Sequence, residues 1–234
     1  MGAEPYVEGY LPPSGMGQNA AVGLWSSQCL PRLLHLTMRG FPFRQQRPRC
    51  VGAAAGRVLE IGFGSGLNLS HYGPGVRELL ALEPSPVAWR LARKAVERAP
   101  FPVTLVGLDA GSIPLEDASV DGVVSTWTLC TVPDIAAALA EVRRVLRPGG
   151  RLLFLEHGLS PRPRVARWQA RLDPLHRRCA GGCRLTRDIP RLVRGSGLEL
   201  TELTEFDLPG PSPATHSFLG VARKASGGAA GTGS

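Results

Sequence analysis

Apolar and polar positions along the chain follow two rhythms. Short apolar runs occur at residues 57–61, 78–83, 103–108, 120–125 and 151–156. Runs of that length, bounded by Gly, Pro or charge, read as buried strands. Between them lie stretches with helical spacing, at residues 86–98 and 134–146. In the second, Asp134 suits an N-cap, and Ile135, Leu139, Val142, Val145 and Leu146 share one face. Pro148-Gly149-Gly150 then stops it. A short helix at 188–194 and late strands near 198–206 and 217–222 complete the pattern. Strand–helix alternation predicts an α/β fold with a parallel sheet, doubly wound by helices on both faces. Such sheets bind ligands beyond the carboxyl ends of their strands.

The ends break this rhythm. Residues 1–23 are rich in Gly, Pro and polar side chains, and 226–234 read as a flexible tail. Residues 24–39 carry Leu24, Trp25, Leu30, Leu33, Leu34, Leu36 and Met38, interrupted by Pro31. They predict a short amphipathic lid helix or two helical turns. The expected organisation is an N-terminal, partly ordered lid segment over 1–44, one domain over 45–225, and the tail. A length of 234 residues suits one buried α/β domain with extensions.

Composition changes this picture little. Apolar residues make up 43% of the chain and charged residues 20%, as in an ordinary globular domain. No apolar run is long enough to span a bilayer, and the N-terminus lacks the pattern of a secretory signal, so a cytoplasmic protein without integral membrane association is expected. Five scattered cysteines (Cys29, Cys50, Cys130, Cys179, Cys183) do not form a disulfide framework. Cys179 and Cys183, with His176 near, suggest a metal, but no second pair of ligands follows at short spacing, so no metal site is expected. The net charge of +8 is concentrated in residues 143–194, where fourteen arginines face Glu156, Asp173 and Asp188. A basic segment suits nucleic acid or an anionic surface. Here only Trp168 interleaves the arginines, which gives single-stranded bases little to stack on.

The first strand runs directly into the densest chemistry, Val58-Leu59-Glu60-Ile61-Gly62-Phe63-Gly64-Ser65-Gly66. The glycines follow a Gly-x-Gly-x-Gly pattern, one position short of the dinucleotide fingerprint Gly-x-Gly-x-x-Gly. Glu60 would crowd a pyrophosphate. It suits a ligand with an ammonium group, met directly or through water. Glu83, followed by Pro84, closes the second strand, where an acid accepts from ribose hydroxyls. Asp109, followed by Ala110, ends the third, where a carboxylate can accept from an adenine amino group. Acids at three strand ends, with no basic residue in the loop, fit a ligand that carries positive charge and lacks phosphate. S-adenosylmethionine is such a ligand.

With Glu60-Ile-Gly-Phe-Gly-Ser-Gly66, Glu83, Leu108-Asp-Ala110, Ile113-Pro-Leu115, Ser119-Val-Asp-Gly-Val-Val124 and Leu146-Arg-Pro-Gly-Gly150, the chain resembles class I S-adenosylmethionine-dependent methyltransferases, near the ubiquinone/menaquinone group. Thr128-Leu-Cys-Thr-Val-Pro-Asp134, Phe154-Leu-Glu-His157, Asp173-Pro174 and Gly182-Cys-Arg-Leu-Thr-Arg187 are similar to the methyltransferase-like 7 thiol S-methyltransferases. The resemblance implies a Rossmann-like, mostly parallel seven-stranded sheet with its last strand antiparallel. It implies a cofactor site at Glu60, Gly62, Phe63, Gly64, Ser65, Gly66, Glu83, Pro84, Asp109, Ala110, Thr126 and Trp127. Trp127, Thr128, His157 and Asp173 would meet the acceptor. The animal proteins carry an N-terminal hydrophobic anchor with no counterpart here, so membrane attachment is not carried over.

The expected activity is methyl transfer from S-adenosylmethionine to a small molecule, with a thiol as the acceptor that the resemblance implies. Alternatives are C- or O-methylation of a quinone or phenolic or secondary-metabolite precursor, or N-methylation of a lipid amine. His157, at the end of the fifth strand, is placed to take the acceptor's proton, and a structural histidine is the competing reading. Cys130 and Cys183 read as packing residues, since methyl transfer needs no enzyme nucleophile. Arg187 is expected to pair with Asp173 or Asp188. A nucleic-acid methyltransferase lacks support in Thr126-Trp-Thr-Leu-Cys130, where base-modifying enzymes carry other motifs. A nicotinamide oxidoreductase is disfavoured by Glu60 and the glycine spacing. A cofactor-binding module without catalysis is the third rival.

Overall fold

The computed structural model describes residues 23–226, so the expectations for 1–22 and 227–234 lie outside the described residues. A π-helical turn at Trp25–Cys29 runs into α1 (Leu30–Thr37), followed by α2 (Phe41–Val51). Then come β1 (Gly56–Ile61), β2 (Val76–Leu82), α3 (Pro86–Glu97), β3 (Val103–Gly107), β4 (Val120–Thr126), α4 (Ile135–Val145) and β5 (Leu146–His157). The chain closes with α5 (Pro163–Cys179), α6 (Ile189–Gly195), β6 (Glu199–Asp207) and β7 (His216–Arg223).

The seven strands form one sheet in the order β3-β2-β1-β4-β5-β7-β6. Pairing is parallel from β3 to β5. The last strand, β7, runs antiparallel between β5 and β6. This is the sheet anticipated from the sequence, and its order reverses at β1/β4, where ligands of open parallel sheets bind.

Local chemistry explains the helices. Asp134 caps α4 by accepting from the Ala137 amide at 3.0 Å, and Ser85 caps α3 through Ala88. Pro31 sits in the first turn of α1, where it lacks no needed donor, so the helix is not broken there. The two faces of the sheet carry separate cores. Leu59, Ile61, Val123, Leu152 and Phe154 pack with α4 and α6 through Leu139, Val142 and Ile189. Val58, Leu79, Val124 and Leu155 pack with α2 and α3 through Cys50, Val51 and Ala92. The central strands β1, β2, β4 and β5 are buried on both faces, as parallel strands are, while β3 and β6 at the edges are more open.

The register aligns the carboxyl ends. Ile61 pairs with Leu82 on one side and Ser125 on the other, and Ser125 with Phe154. The residues after β1, β2, β4 and β5 therefore share one edge of the sheet.

Candidate active site

The loop after β1 turns at Gly62, Gly64 and Gly66, all with positive φ. At Gly62 the need is also steric, because a Cβ there would lie 2.1 Å from Thr128 Oγ1. That contact joins the β1 loop to the β4 loop. At Gly64 a Cβ would meet nothing nearer than 3.8 Å, so this corner is open. Phe63 turns inward, 2% exposed, its ring 5.5 Å from that of Trp89. Its backbone alone belongs to the loop. Ser65 Oγ lies 2.7 Å from His35 Nδ1, so α1 touches the glycine loop.

Glu60 is buried on the face covered by α2 and α3. Its Oε1 accepts from Asn68 Nδ2 and its Oε2 from the Tyr72 hydroxyl, both at 2.8 Å. Asn68 Nδ2 also reaches Thr126 Oγ1 at 3.0 Å. Arg47 of α2, itself buried, donates to Asn68 Oδ1 at 2.8 Å. Its guanidinium lies 5.0 Å from the Trp127 ring centre. Burial pushes the Glu60 carboxyl up to about 7, against the pull of Tyr72, Asn68 and Arg47. Burial lowers Arg47 to about 10, partly offset by Glu60.

Glu83 lies just past β2. Its Oε2 accepts from the Gly64 amide at 2.6 Å and its Oε1 from the Ser85 amide at 2.8 Å. It thus ties the glycine loop to the start of α3. Burial raises its pKa and the two amides lower it. Pro84 is exposed beside it. Asp109 is exposed and accepts from the Gly111 amide at 2.8 Å, while Ala110 is buried in the core under α4.

Trp127 follows β4 with φ of 51°, a left-handed conformation uncommon for a bulky side chain. The strained turn is held from below. Glu156, fully buried, accepts from Ser125 Oγ at 2.7 Å and from the amides of Thr128, Leu129 and Cys130. His157, the next residue, is 7% exposed. Its Nδ1 lies 3.5 Å from Cys183 Sγ, and its Nε2 is buried with no hydrogen-bond partner among the described residues. Cys183 Sγ is also 3.5 Å from Cys130 Sγ. Thiol-to-thiol hydrogen bonding lowers Cys183 and raises Cys130.

Asp173, in α5, accepts weakly from Thr186 at 3.4 and 3.5 Å and anchors the segment that carries Cys183. Arg187 departs from expectation: it pairs with neither Asp173 nor Asp188. It donates to the carbonyls of Leu129, Val132 and Pro133 and so braces the β4 loop. Backbone carbonyls in that loop have no helix or strand partners of their own, which makes them the stronger claim on a buried guanidinium. The sequence also did not single out Arg47, Asn68, Tyr72 or His35. No spacing marks them, because they converge from α1, α2 and the β1–β2 connection.

A cavity of about 760 Å³ opens beside Ser65 and Gly66, between α1, α2 and α3. Arg39, Arg44, Arg47, Lys94 and Arg98 line it, with no carboxylate among the described lining residues. Its lining shares Ser65, Gly66 and Arg47 with the glycine loop and the Glu60 network and does not include Glu83, Asp109 or His157.

Known proteins agree with this geometry. Residues 59–154 match the methyltransferase domain family. With the sheet order and the glycine loop, that match makes residues 59–154 similar to a methyltransferase domain. The chain is similar to human thiol S-methyltransferase TMT1B, 38% identical over 141 residues, which are 58% of this chain and 57% of the relative. To human thiol S-methyltransferase TMT1A it is 32% identical over 156 residues, 65% of this chain and 64% of the relative. The chain therefore spans somewhat over half the length of these relatives. Among solved structures, the cyclase SpnF superposes with a TM-score of 0.63 at 18% identity, covering 79% of this chain and 80% of that one. That likeness shows the fold, which hosts more than one reaction. Among the described residues no helix is long and apolar enough to cross a membrane.

Proposed function

We propose that this protein transfers a methyl group from S-adenosylmethionine to the sulfur of a small thiol. The observation that carries the acceptor half is the free Nε2 of His157, buried at the carboxyl edge of the sheet while Nδ1 faces Cys183. Similarity to thiol S-methyltransferases supports sulfur over carbon, oxygen or nitrogen.

The residues present fit the methyl donor. Gly64 leaves an open corner, Glu83 stands at the end of β2, and Glu60 is a buried carboxylate with a raised pKa that a cation would relieve. In this reading Glu60 and Asn68 serve the ammonium end, Glu83 the ribose and Asp109 the adenine. The backbone of Gly62, Phe63, Gly64, Ser65 and Gly66 lets the donor approach closely, and Pro84, Ala110, Thr126 and Trp127 complete its walls. When bound, S-adenosylmethionine supplies a methyl group already activated on a sulfonium.

The protein's task is alignment and proton removal. Trp127 and Thr128 border the acceptor, and Asp173 holds the nearby segment in place. A thiolate at Cys183 would accept from Nδ1–H of His157 and hold the tautomer that leaves Nε2 as the base. With the donor bound, Nε2 would take the thiol proton and leave the acceptor sulfur as a thiolate. The products are a methyl thioether, S-adenosylhomocysteine and a proton passed to solvent.

The test is a labelled-methyl screen over alkyl thiols, phenols, quinol precursors and amines, read by product mass spectrometry. A methyl thioether is expected with wild type. His157→Ala should cut turnover about 100-fold, in line with loss of a general base, with donor affinity little changed. Turnover that survives His157→Ala would remove the base role, and methylation confined to phenols or amines would overturn the sulfur assignment.

A further inference from the structure

The proposed function uses His157 and, through its Nδ1, Cys183, and leaves Cys130 beside them without a task. Cys130 comes from the β4 loop, His157 from the end of β5 and Cys183 from the segment after α5. All three are buried, and their Sγ and imidazole nitrogen atoms lie within 4.8 Å of one another. Their separations have a chemical meaning. Tetrahedral zinc, with zinc–sulfur near 2.3 Å and zinc–nitrogen near 2.0 Å, spaces two sulfurs about 3.8 Å apart and a sulfur and a nitrogen about 3.5 Å apart. The Sγ–Sγ and Sγ–Nδ1 distances here are each 3.5 Å. A disulfide would need the sulfurs to close to about 2.05 Å.

We propose that Cys130, Cys183 and His157 Nδ1 form a three-ligand site for a zinc ion. Two thiolates and an imidazole are the donors a borderline-soft divalent ion selects. Each thiol still protonated releases its proton to solvent as its zinc–sulfur bond forms, so the two thiolates neutralise the ion. The frame is stiff enough to hold it. The Cys130 amide is fixed by Glu156 at 3.2 Å, and the Cys183 carbonyl by His176 Nδ1 at 3.1 Å. His176 lies outside the 4.8 Å group, which leaves the fourth position to water or another exchangeable ligand. Sequence spacing could not reveal this site. It pointed to Cys179, which is exposed, instead of Cys130, a residue 53 positions from Cys183.

Metal on Nδ1 leaves the ring proton on Nε2, so loading and proton acceptance exclude one another. Turnover should therefore fall as zinc binds. That consequence alone rests on the proposed function.

The full chain, stripped by a chelator under a phosphine reductant, is titrated with Co²⁺ and then Zn²⁺. One equivalent of Co²⁺ should give intense tetrahedral d–d bands and sulfur-to-cobalt charge transfer, both removed by one equivalent of Zn²⁺. The charge transfer should be lost in Cys130→Ser/Cys183→Ser and kept in Cys29→Ser/Cys179→Ser. X-ray absorption of the zinc-loaded wild type, which needs no variant to fold, should count two sulfurs and one imidazole. Absence of these bands, their survival in Cys130→Ser/Cys183→Ser, or a shell without two sulfurs would overturn the site. Zinc that binds as described without slowing turnover would instead count against His157 as the base.

Discussion

At the scale of single residues, Glu60 concentrates the chemistry. Its carboxyl is raised from 4.5 to about 7 by burial. A raised carboxyl holds its proton more tightly folded than unfolded. Its contribution to stability is therefore full below pH 4.5 and lost as pH rises through 7. At about 1.4 kcal/mol per unit, the swing is about 3 kcal/mol. Glu60→Gln keeps a neutral hydrogen-bonding group and should lack this swing. Urea unfolding at pH 4.5 and pH 8 should show the wild type losing about 3 kcal/mol relative to Glu60→Gln, and parallel behaviour would refute it. Two glycines separate fold from ligand. Gly62→Ala sets a Cβ against Thr128 and should destabilise by about 2–4 kcal/mol, combining backbone strain with overpacking. Gly64→Ala carries only the backbone strain of about 1–2 kcal/mol. Its Cβ stands in the open corner, so donor affinity measured by calorimetry should drop at least tenfold while the melting curve shifts little. Equal effects of the two on stability would contradict this division.

At the scale of elements, the helices that complete the site are those the sequence concealed. The π-turn and α1 lie where lid-like turns were expected, and His35 brings α1 onto Ser65. Helix α2 was not foreseen: it carries Pro48 and little apolar periodicity, yet it delivers Arg47 to Asn68 and Trp127. Helix α5 was hidden by its proline and arginine content, and Pro174 stands inside it. Packing holds it in place of pattern. Gln169, fully buried, accepts from the Ser160 amide at 2.8 Å and donates to the carbonyls of Gly158 and Pro213. Gln169→Leu leaves all three backbone groups without this partner, and at about 1–3 kcal/mol for an unsatisfied buried group the loss should exceed 3 kcal/mol. Chemical denaturation measures it, and a loss under 1 kcal/mol would mean that α5 is held by other contacts.

At the scale of the whole molecule, folding engages part of the arginine-rich segment 143–194. Arg144 pairs with Glu141 and Asp117, Arg147 with Asp121, and Arg162 with Asp207. Arg151 and Arg187 serve backbone carbonyls. With these side chains engaged, mobility-shift assays at low salt should show no binding of DNA or RNA that weakens steeply with salt. A steep salt dependence would reopen a nucleic-acid role. The sequence by itself determined the sheet and the loop edge where the donor would sit. Strand periodicity, N-caps and glycine turns are local in the chain, so local pattern records them. Thus Asp134 capped its helix and the acids Glu60 and Glu83 fell at strand ends as read. Only the tertiary structure decided the partners. Glu60 turns to Asn68 and Tyr72, Arg187 to the β4 loop, and His157 to Cys130 and Cys183. Such contacts join residues brought together by crossovers of the sheet, and a buried polar group takes whichever partner the packing leaves within hydrogen-bond reach.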